Sequence, residues 1–163
     1  MPGPDHNPEP NAANLTSARD LDALYCETDK LYHEIARGCG LSDCAYWILY
    51  EVQVMGGRAS QRAIAERFSY SKQTVNSALK TLEAKGLAEL SFAEGSRRAK
   101  TVRLTSEGRA FSERHIVPAI AAEDRAFTSL APQERAELLR LVAAYTRAID
   151  RELSRLHQKE EDQ

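Results

Sequence analysis

The stretch "FSYSKQTVNSALKTLEAKGLAEL", residues 68–90, carries two different periodicities. From Ser71 to Lys85 the apolar residues Val75, Ala78, Leu79 and Leu82 recur at steps of three and four, which predicts one buried stripe on a helix. The opposite side carries Lys72, Gln73, Asn76, Ser77, Lys80 and Thr81, not the Glu/Lys pairs that usually decorate a solvated helix. After Gly86 the period falls to two. Leu90 and Phe92 alternate with Ser91 and Ala93, and Val102 and Leu104 alternate with Thr101 and Arg103. Between them "EGSRRAK" supplies a Gly95 turn and the cations Arg97, Arg98 and Lys100, so a β-hairpin with a basic tip is expected.

Upstream, Ser60 is placed to cap a short helix, "QRAIAERF", whose Ile64 and Phe68 should face the core. "SY" then makes a tight break, and Ser71 caps the helix of the quoted stretch. Two short helices about a turn apart, the second with a polar outer face, make a helix-turn-helix. The basic hairpin behind it makes the unit winged. In that setting the polar face has a use. Gln and Asn pair with adenine edges, Ser and Thr bond to bases or phosphates, and Lys neutralises phosphate. The expected DNA-binding set is Ser60, Ser71, Lys72, Gln73, Thr74, Asn76, Ser77 and Lys80, with Arg97, Arg98 and Lys100 from the wing. Within it, Gln73 and Asn76 are assigned to base edges and Lys80 and Lys100 to phosphates. The wing-tip arginines are assigned to the minor groove, whose potential attracts guanidinium. The competing reading is a winged helix used as a protein–protein interaction module without DNA.

Charge distribution favours DNA. The net charge of the 163 residues is only −2, yet residues 58–103 hold ten Lys/Arg against four Asp/Glu, a local +6, and the rest carries −8. A basic middle between acidic flanks points to a polyanionic partner. No apolar run approaches the roughly 20 residues that span a bilayer. The opening "MPGPDHNPEPNAAN" has neither the basic nor the apolar region of a signal peptide, so residues 1–14 are expected to be a disordered leader in a cytoplasmic protein.

The remaining segments are helical. Leu15 to Arg37 keeps a stripe of Leu21, Leu24, Tyr25, Thr28, Leu31, Tyr32 and Ile35. "GCGLSD" ends it, with Ser42 capping the next helix, "CAYWILYEVQVM", which is apolar nearly all round and should be central. "GGR" at 56–58 breaks that helix. "LTSEG" opens another with Thr105 as N-cap, Pro118 should kink it or split it in two, and Pro132 starts the last helix. There Leu138, Leu141, Val142, Tyr145, Ile149, Leu153 and Leu156 form the stripe expected to be buried. "HQKEEDQ", 157–163, reads as a polar tail.

Catalysis finds no support. No serine elbow, P-loop or dinucleotide fingerprint occurs, so no enzyme activity and no cofactor is expected. The histidines His6, His33, His115 and His157 are scattered, and Cys26, Cys39 and Cys44 lack CxxC spacing, so neither a metal site nor a disulfide framework is expected.

The segments "YSKQTVNSALKTLEAKGL" and "SRRAKTVRLTSEGR" together resemble the MarR (multiple antibiotic resistance regulator) family of winged-helix regulators, as does "GLSDCAYWILYEV". The resemblance runs from Leu15 to Leu156. It implies a mainly α fold with a small β-hairpin wing (α+β), in which a winged helix-turn-helix is flanked by N- and C-terminal dimerisation helices. The corresponding organisation is one MarR-like domain, 15–156: first dimerisation helix and central helix at 15–55, winged helix-turn-helix at 58–104, and C-terminal helices at 105–156. It also implies an obligate homodimer on double-stranded, palindromic DNA, read here as a repressor that a small molecule or an oxidant releases. The aromatics Tyr25, Tyr32, Trp47 and Tyr50, with His33, fall where relatives bind small aromatic or anionic effectors, although core and dimer packing is the commoner use of such residues. Cys26, beside Tyr25, resembles the thiol of the hydroperoxide-sensing branch. Two positions depart from the family pattern. Ser96 stands where the wing commonly has an Asp two residues before its key arginine, here Arg98, which leaves a looser wing or Glu94 as a substitute brace. Ala131 replaces the usual capping hydroxyl ahead of Pro132.

Overall fold

The computed structural model describes residues 17–92 and 99–161. They fall into two compact units, one ending at His115 and the other beginning at Ile116.

In the first unit, α1 (Ala18–Gly38) starts from a capping box in which the Ser17 hydroxyl accepts from the Asp20 amide while the Asp20 carboxylate accepts from the Ser17 amide. Leu15 lies outside the described residues. The central helix α2 (Asp43–Val54) is capped by Ser42 and buries Cys44, Ala45, Tyr46, Ile48, Leu49 and Val52. It packs against α1, α4 (Lys72–Ala84), α5 (Ser106–His115) and the sheet, which is why nearly its whole circumference is apolar. Its last turn is tied to α5 by the buried Ser112, whose hydroxyl donates to the Gln53 side-chain oxygen at 2.8 Å.

The sheet has three strands, where the sequence period reveals two. β1 (Arg58–Ser60), in the "GGR" break, pairs antiparallel with β3 (Lys100–Leu104), which in turn pairs with β2 (Ala88–Phe92), giving the order β1-β3-β2. A three-residue strand is too short to show alternation, but its pairing with β3 sets Ala59 opposite Val102, both buried. The same inner face takes Ala88 and Leu104. Phe92 departs from its expected place, standing 62% exposed at the end of β2.

The turn that joins α3 (Gln61–Phe68) to α4 passes through Ser69 at φ 54°, a left-handed conformation that costs a non-glycine residue roughly 1–2 kcal/mol. At the far end of α4 the chain needs the same hand again, and here Gly86 provides it at φ 67°. The Leu87 amide donates to Leu82 and the Gly86 amide to Glu83, which closes the helix and turns it into β2.

In the second unit, α6 (Val117–Ser129) begins one residue after α5 ends, with Pro118 in its first turn, so the proline splits the predicted long helix in two. α7 (Pro132–Glu161) lacks a capping side chain at Ala131. Glu134 supplies half of the missing box, its carboxylate accepting from the Ala131 amide at 2.7 Å. The helix runs on to Glu161, past Leu156, where composition predicts only a polar tail. Its stripe is not buried in the single chain: Leu138, Leu141, Val142, Tyr145, Ile149, Leu153 and Leu156 are all exposed, as are Tyr25, Leu31 and Ile35 on α1. Among the described residues, no helix is long and apolar enough to cross a membrane.

Candidate nucleic-acid interface

α4 buries Val75, Ala78, Leu79 and Leu82 against the core of the first unit. At about 100° per residue, Gln73, Ser77 and Lys80 lie nearly opposite that stripe, with Asn76 on the flank toward α3. Lys72, Gln73, Thr74, Asn76, Ser77 and Lys80 are all exposed, so none of them contributes to the core.

The helix is held at both ends. Ser71 accepts from the Thr74 amide at 3.0 Å, and its hydroxyl also meets the Thr74 hydroxyl at 2.8 Å. Ser60 does the same for α3, accepting from the Ala63 amide at 3.0 Å. Both serines are exposed at helix N-termini, where the dipole and the free amides favour an anion such as phosphate. The predicted hydroxyl contacts are therefore caps first.

At the C-terminal end of α4, the "LTSEG" segment locks the helix to the wing. The Thr105 hydroxyl donates to the Gly86 carbonyl at 2.6 Å and accepts from the Gly108 amide at 2.9 Å, while the Thr105 amide donates to the Leu87 carbonyl. Gly108 passes so close that a Cβ there would lie 1.7 Å from the Leu87 oxygen. Glycine is required by that approach, not by its φ.

On the outer face of the sheet, Arg103 is paired across the strands with Glu89 at 2.8 Å. Arg62 is held by Glu66 and Arg67 by Glu51. Lys72, Lys80 and Lys100 make no ion pair among the described residues, which leaves their charge to an external anion. Lys100 is exposed at the start of β3. Arg97 and Arg98, with Glu94 and Ser96, lie outside the described residues.

One member of this surface has no signal in the sequence. Gln61, the first residue of α3, donates from Nε2 to Oδ1 of Asn76 at 2.5 Å. Fifteen residues separate the two, and only the packing of α3 on α4 brings them together.

A capped helix pair, a polar outward helix and a three-stranded wing are the parts of a known architecture, and residues 40–99 match the MarR family. Over those residues the chain is similar to the MarR family's winged helix. Solved structures agree across both chains' lengths. NMB1585, a MarR family regulator from Neisseria meningitidis, is 26% identical with a TM-score of 0.64, over 82% of this chain and 96% of that one. The MarR transcription regulator from Oenococcus oeni PSU-1 is 16% identical with a TM-score of 0.64, over 79% and 97%. The PcaV transcriptional regulator from Streptomyces coelicolor, in complex with its natural ligand, is 22% identical with a TM-score of 0.58, over 82% and 94%. None of the curated proteins matches the chain.

Behind the winged helix, the aromatics predicted as an effector site converge in part. Trp47 is the hub: its ring centroid lies 4.6 Å from Tyr32, 5.1 Å from Tyr50 and 5.5 Å from Phe68. Phe68 continues to Tyr70, 6.1 Å away in the turn before α4, where burial raises the phenol above its ordinary value. Next to this stack, His33 Nδ1 meets both oxygens of Asp43 at 2.9 and 3.0 Å, joining α1 to the first turn of α2. Tyr25 stands apart, 46% exposed and about 10 Å further along α1.

The cysteines differ in reactivity. Burial pushes the Cys44 thiol up to about 11 and raises that of Cys39, which disfavours the reactive thiolate in both. Cys26 is exposed. Among the described residues, no three His, Cys, Asp or Glu side chains are grouped to hold a metal ion.

Proposed function

We propose that this MarR family chain is a sequence-specific DNA-binding transcriptional regulator, acting as a homodimeric repressor on a pseudo-palindromic operator. The observation that carries this reading is the outward face of α4. Gln73, Ser77 and Lys80 are exposed opposite a fully buried stripe, on a helix fixed at both ends. The helix of 13 residues is about 20 Å long and matches a major groove roughly 12 Å wide. The dimer is supported by the exposed stripes of α1 and α7, since contiguous apolar faces of this length mark protein–protein contact. Two copies also suit the two half-sites of a palindrome.

Release is proposed to follow a small aromatic or anionic ligand near the stack of Tyr32, Trp47 and Tyr50, beside His33. Phe68 and Tyr70 connect that stack directly to the turn that positions α4. The exposure of Cys26 supports oxidation as the second trigger.

Binding titrations at several salt concentrations test the DNA reading. Lys80→Ala should weaken all sequences alike and flatten the salt dependence by about 1 per subunit, because fewer counterions are released. Gln73→Ala should leave that slope alone and cost about 1–3 kcal/mol on the preferred operator. If both variants behave alike, α4 does not read bases. If wild-type protein binds no DNA in competition with random sequence, the protein-interaction reading takes its place.

A further inference from the structure

We propose that Gln61 sets the polarity of Asn76, and so makes the protein prefer a keto base, guanine or thymine, over an amino base at one symmetric pair of operator positions. The inference rests on α4 lying in the major groove, and deepens that reading by naming what one side chain selects.

An asparagine amide carries an acceptor oxygen and a two-proton donor nitrogen. Left free, it can present both to adenine, donating to N7 and accepting from N6. Asn76 is not free. Its Oδ1 already accepts from Gln61 Nε2 at 2.5 Å, which takes one of that oxygen's two lone pairs, sets the rotation of the amide and leaves both Nδ2 protons free. In the major groove guanine offers O6 and N7 and thymine offers O4, all acceptors, whereas cytosine offers the N4 donor. Adenine keeps its N7 acceptor, but its N6 donor must share the oxygen that Gln61 already bonds. An Asn76 whose free protons outnumber its free lone pair therefore ranks guanine and thymine above adenine, and cytosine last. This reverses the adenine assignment that the residue type alone suggests.

The geometry has the rigidity such a device needs. Gln61 opens a helix whose N-cap is Ser60, and Asn76 lies in a helix whose N-cap is Ser71, so the backbones of both partners are fixed. Asn76 is fully on the exposed surface and Gln61 is partly so. A hydrogen bond this open to water adds little to folding, so replacing Gln61 leaves a folded protein in which to look for the effect. Gln61 is thus a positioning residue: it acts through Asn76 and need not touch the base. Gln73, which makes no such bond among the described residues, keeps both amide groups for a paired contact.

Changing the polarity of residue 61 is the decisive perturbation. A carboxylate only accepts. In Gln61→Glu it accepts a hydrogen bond from Asn76 Nδ2 and turns Oδ1 outward, so the preferred base becomes adenine or cytosine. Duplexes selected from a random pool by wild type should contain a palindrome, and Asn76→Ala should lose preference at one symmetric pair within it. At that pair wild type should favour a keto base by roughly tenfold, and Gln61→Glu should favour an amino base by a similar ratio. Ratios between duplexes, not absolute affinities, are compared, because the added negative charge weakens binding to every sequence. Gln61→Ala should relax the preference toward adenine without inverting it, and melting curves should confirm that all variants are folded. The proposal is overturned if Gln61→Glu leaves the preference at the Asn76 pair unchanged, or if wild type already favours an amino base there. A palindrome that survives with either result leaves the DNA-binding reading intact and removes only the role of Gln61. Failure of wild type to enrich any sequence removes both.

Discussion

Replacing Gly108 with alanine should be among the most damaging single-methyl changes in this protein. The added Cβ would lie 1.7 Å from the Leu87 carbonyl oxygen, 2.8 Å from its carbon and 3.3 Å from its Cα. Ordinary contact requires more than 3 Å, so α5 and the β2 entry must part by more than 1 Å. That shift breaks the bond from the Thr105 amide to Leu87, now 3.3 Å, and strains the one from the Thr105 hydroxyl to Gly86, now 2.6 Å. Two hydrogen bonds at about 0.5–1.5 kcal/mol each and a forced overlap at about 1–3 kcal/mol outweigh the gain of up to about 1 kcal/mol in helix propensity. The net loss should be about 3 kcal/mol. For a chain of 163 residues that lowers the melting temperature by roughly 6–12 °C. Gly38→Ala is the matched control: it too lies in a helix, its Cβ would meet nothing within 4 Å, and the change should be neutral or stabilising by up to about 1 kcal/mol. Urea unfolding followed by Trp47 fluorescence, at one protein concentration so that association does not confound the comparison, measures both. The clearance argument is refuted if Gly108→Ala and Gly38→Ala unfold within about 1 kcal/mol of each other. The change should also weaken DNA binding, because this same contact fixes α4 against the wing.

Three further outcomes are expected. Ala131→Ser should stabilise the chain by about 0.5–2 kcal/mol in thermal melts, since it restores the hydroxyl half of a capping box whose Glu134 half is already in place. Cys44, whose thiol is raised to about 11 from an ordinary 9.0, binds a proton more tightly folded than unfolded. Its contribution is therefore complete below pH 9 and is lost as pH rises from 9 to about 11; by linkage wild type should lose up to about 2–3 kcal/mol more over that window than Cys44→Ala, as unfolding curves at each pH will show. Cys26→Ser should abolish peroxide-induced release from DNA without changing affinity if oxidation is the trigger, whereas release by an aromatic anion should be unaffected; gel shifts with each agent separate the two.

The elements whose signals are local were legible in the residues themselves. Val75, Ala78, Leu79 and Leu82 declare α4 through their spacing, Ser42, Ser60 and Ser71 cap the helices they precede, and Gly86 ends α4 in the left-handed conformation its position predicts. Each depends on backbone geometry within a turn or two, which neighbouring residues alone dictate. The exposure of Gln73, Ser77 and Lys80 followed from the same periodicity. Other features depend on residues distant in sequence, and only the tertiary structure decided them. β1 exists because Ala59 finds Val102 across a strand 40-odd residues away, with no room in Arg58–Ser60 for a pattern of its own. Gly108 is glycine because the Leu87 carbonyl occupies the space of its side chain, a clash no helical wheel displays. Residue type alone assigns Asn76 to an adenine edge, and nothing in the sequence tells that α3 brings Gln61 Nε2 to its oxygen. Periodicity reports which side of a helix faces water; which group stands across from a given side chain is set by how the helices pack, and hydrogen-bond polarity depends on that second fact.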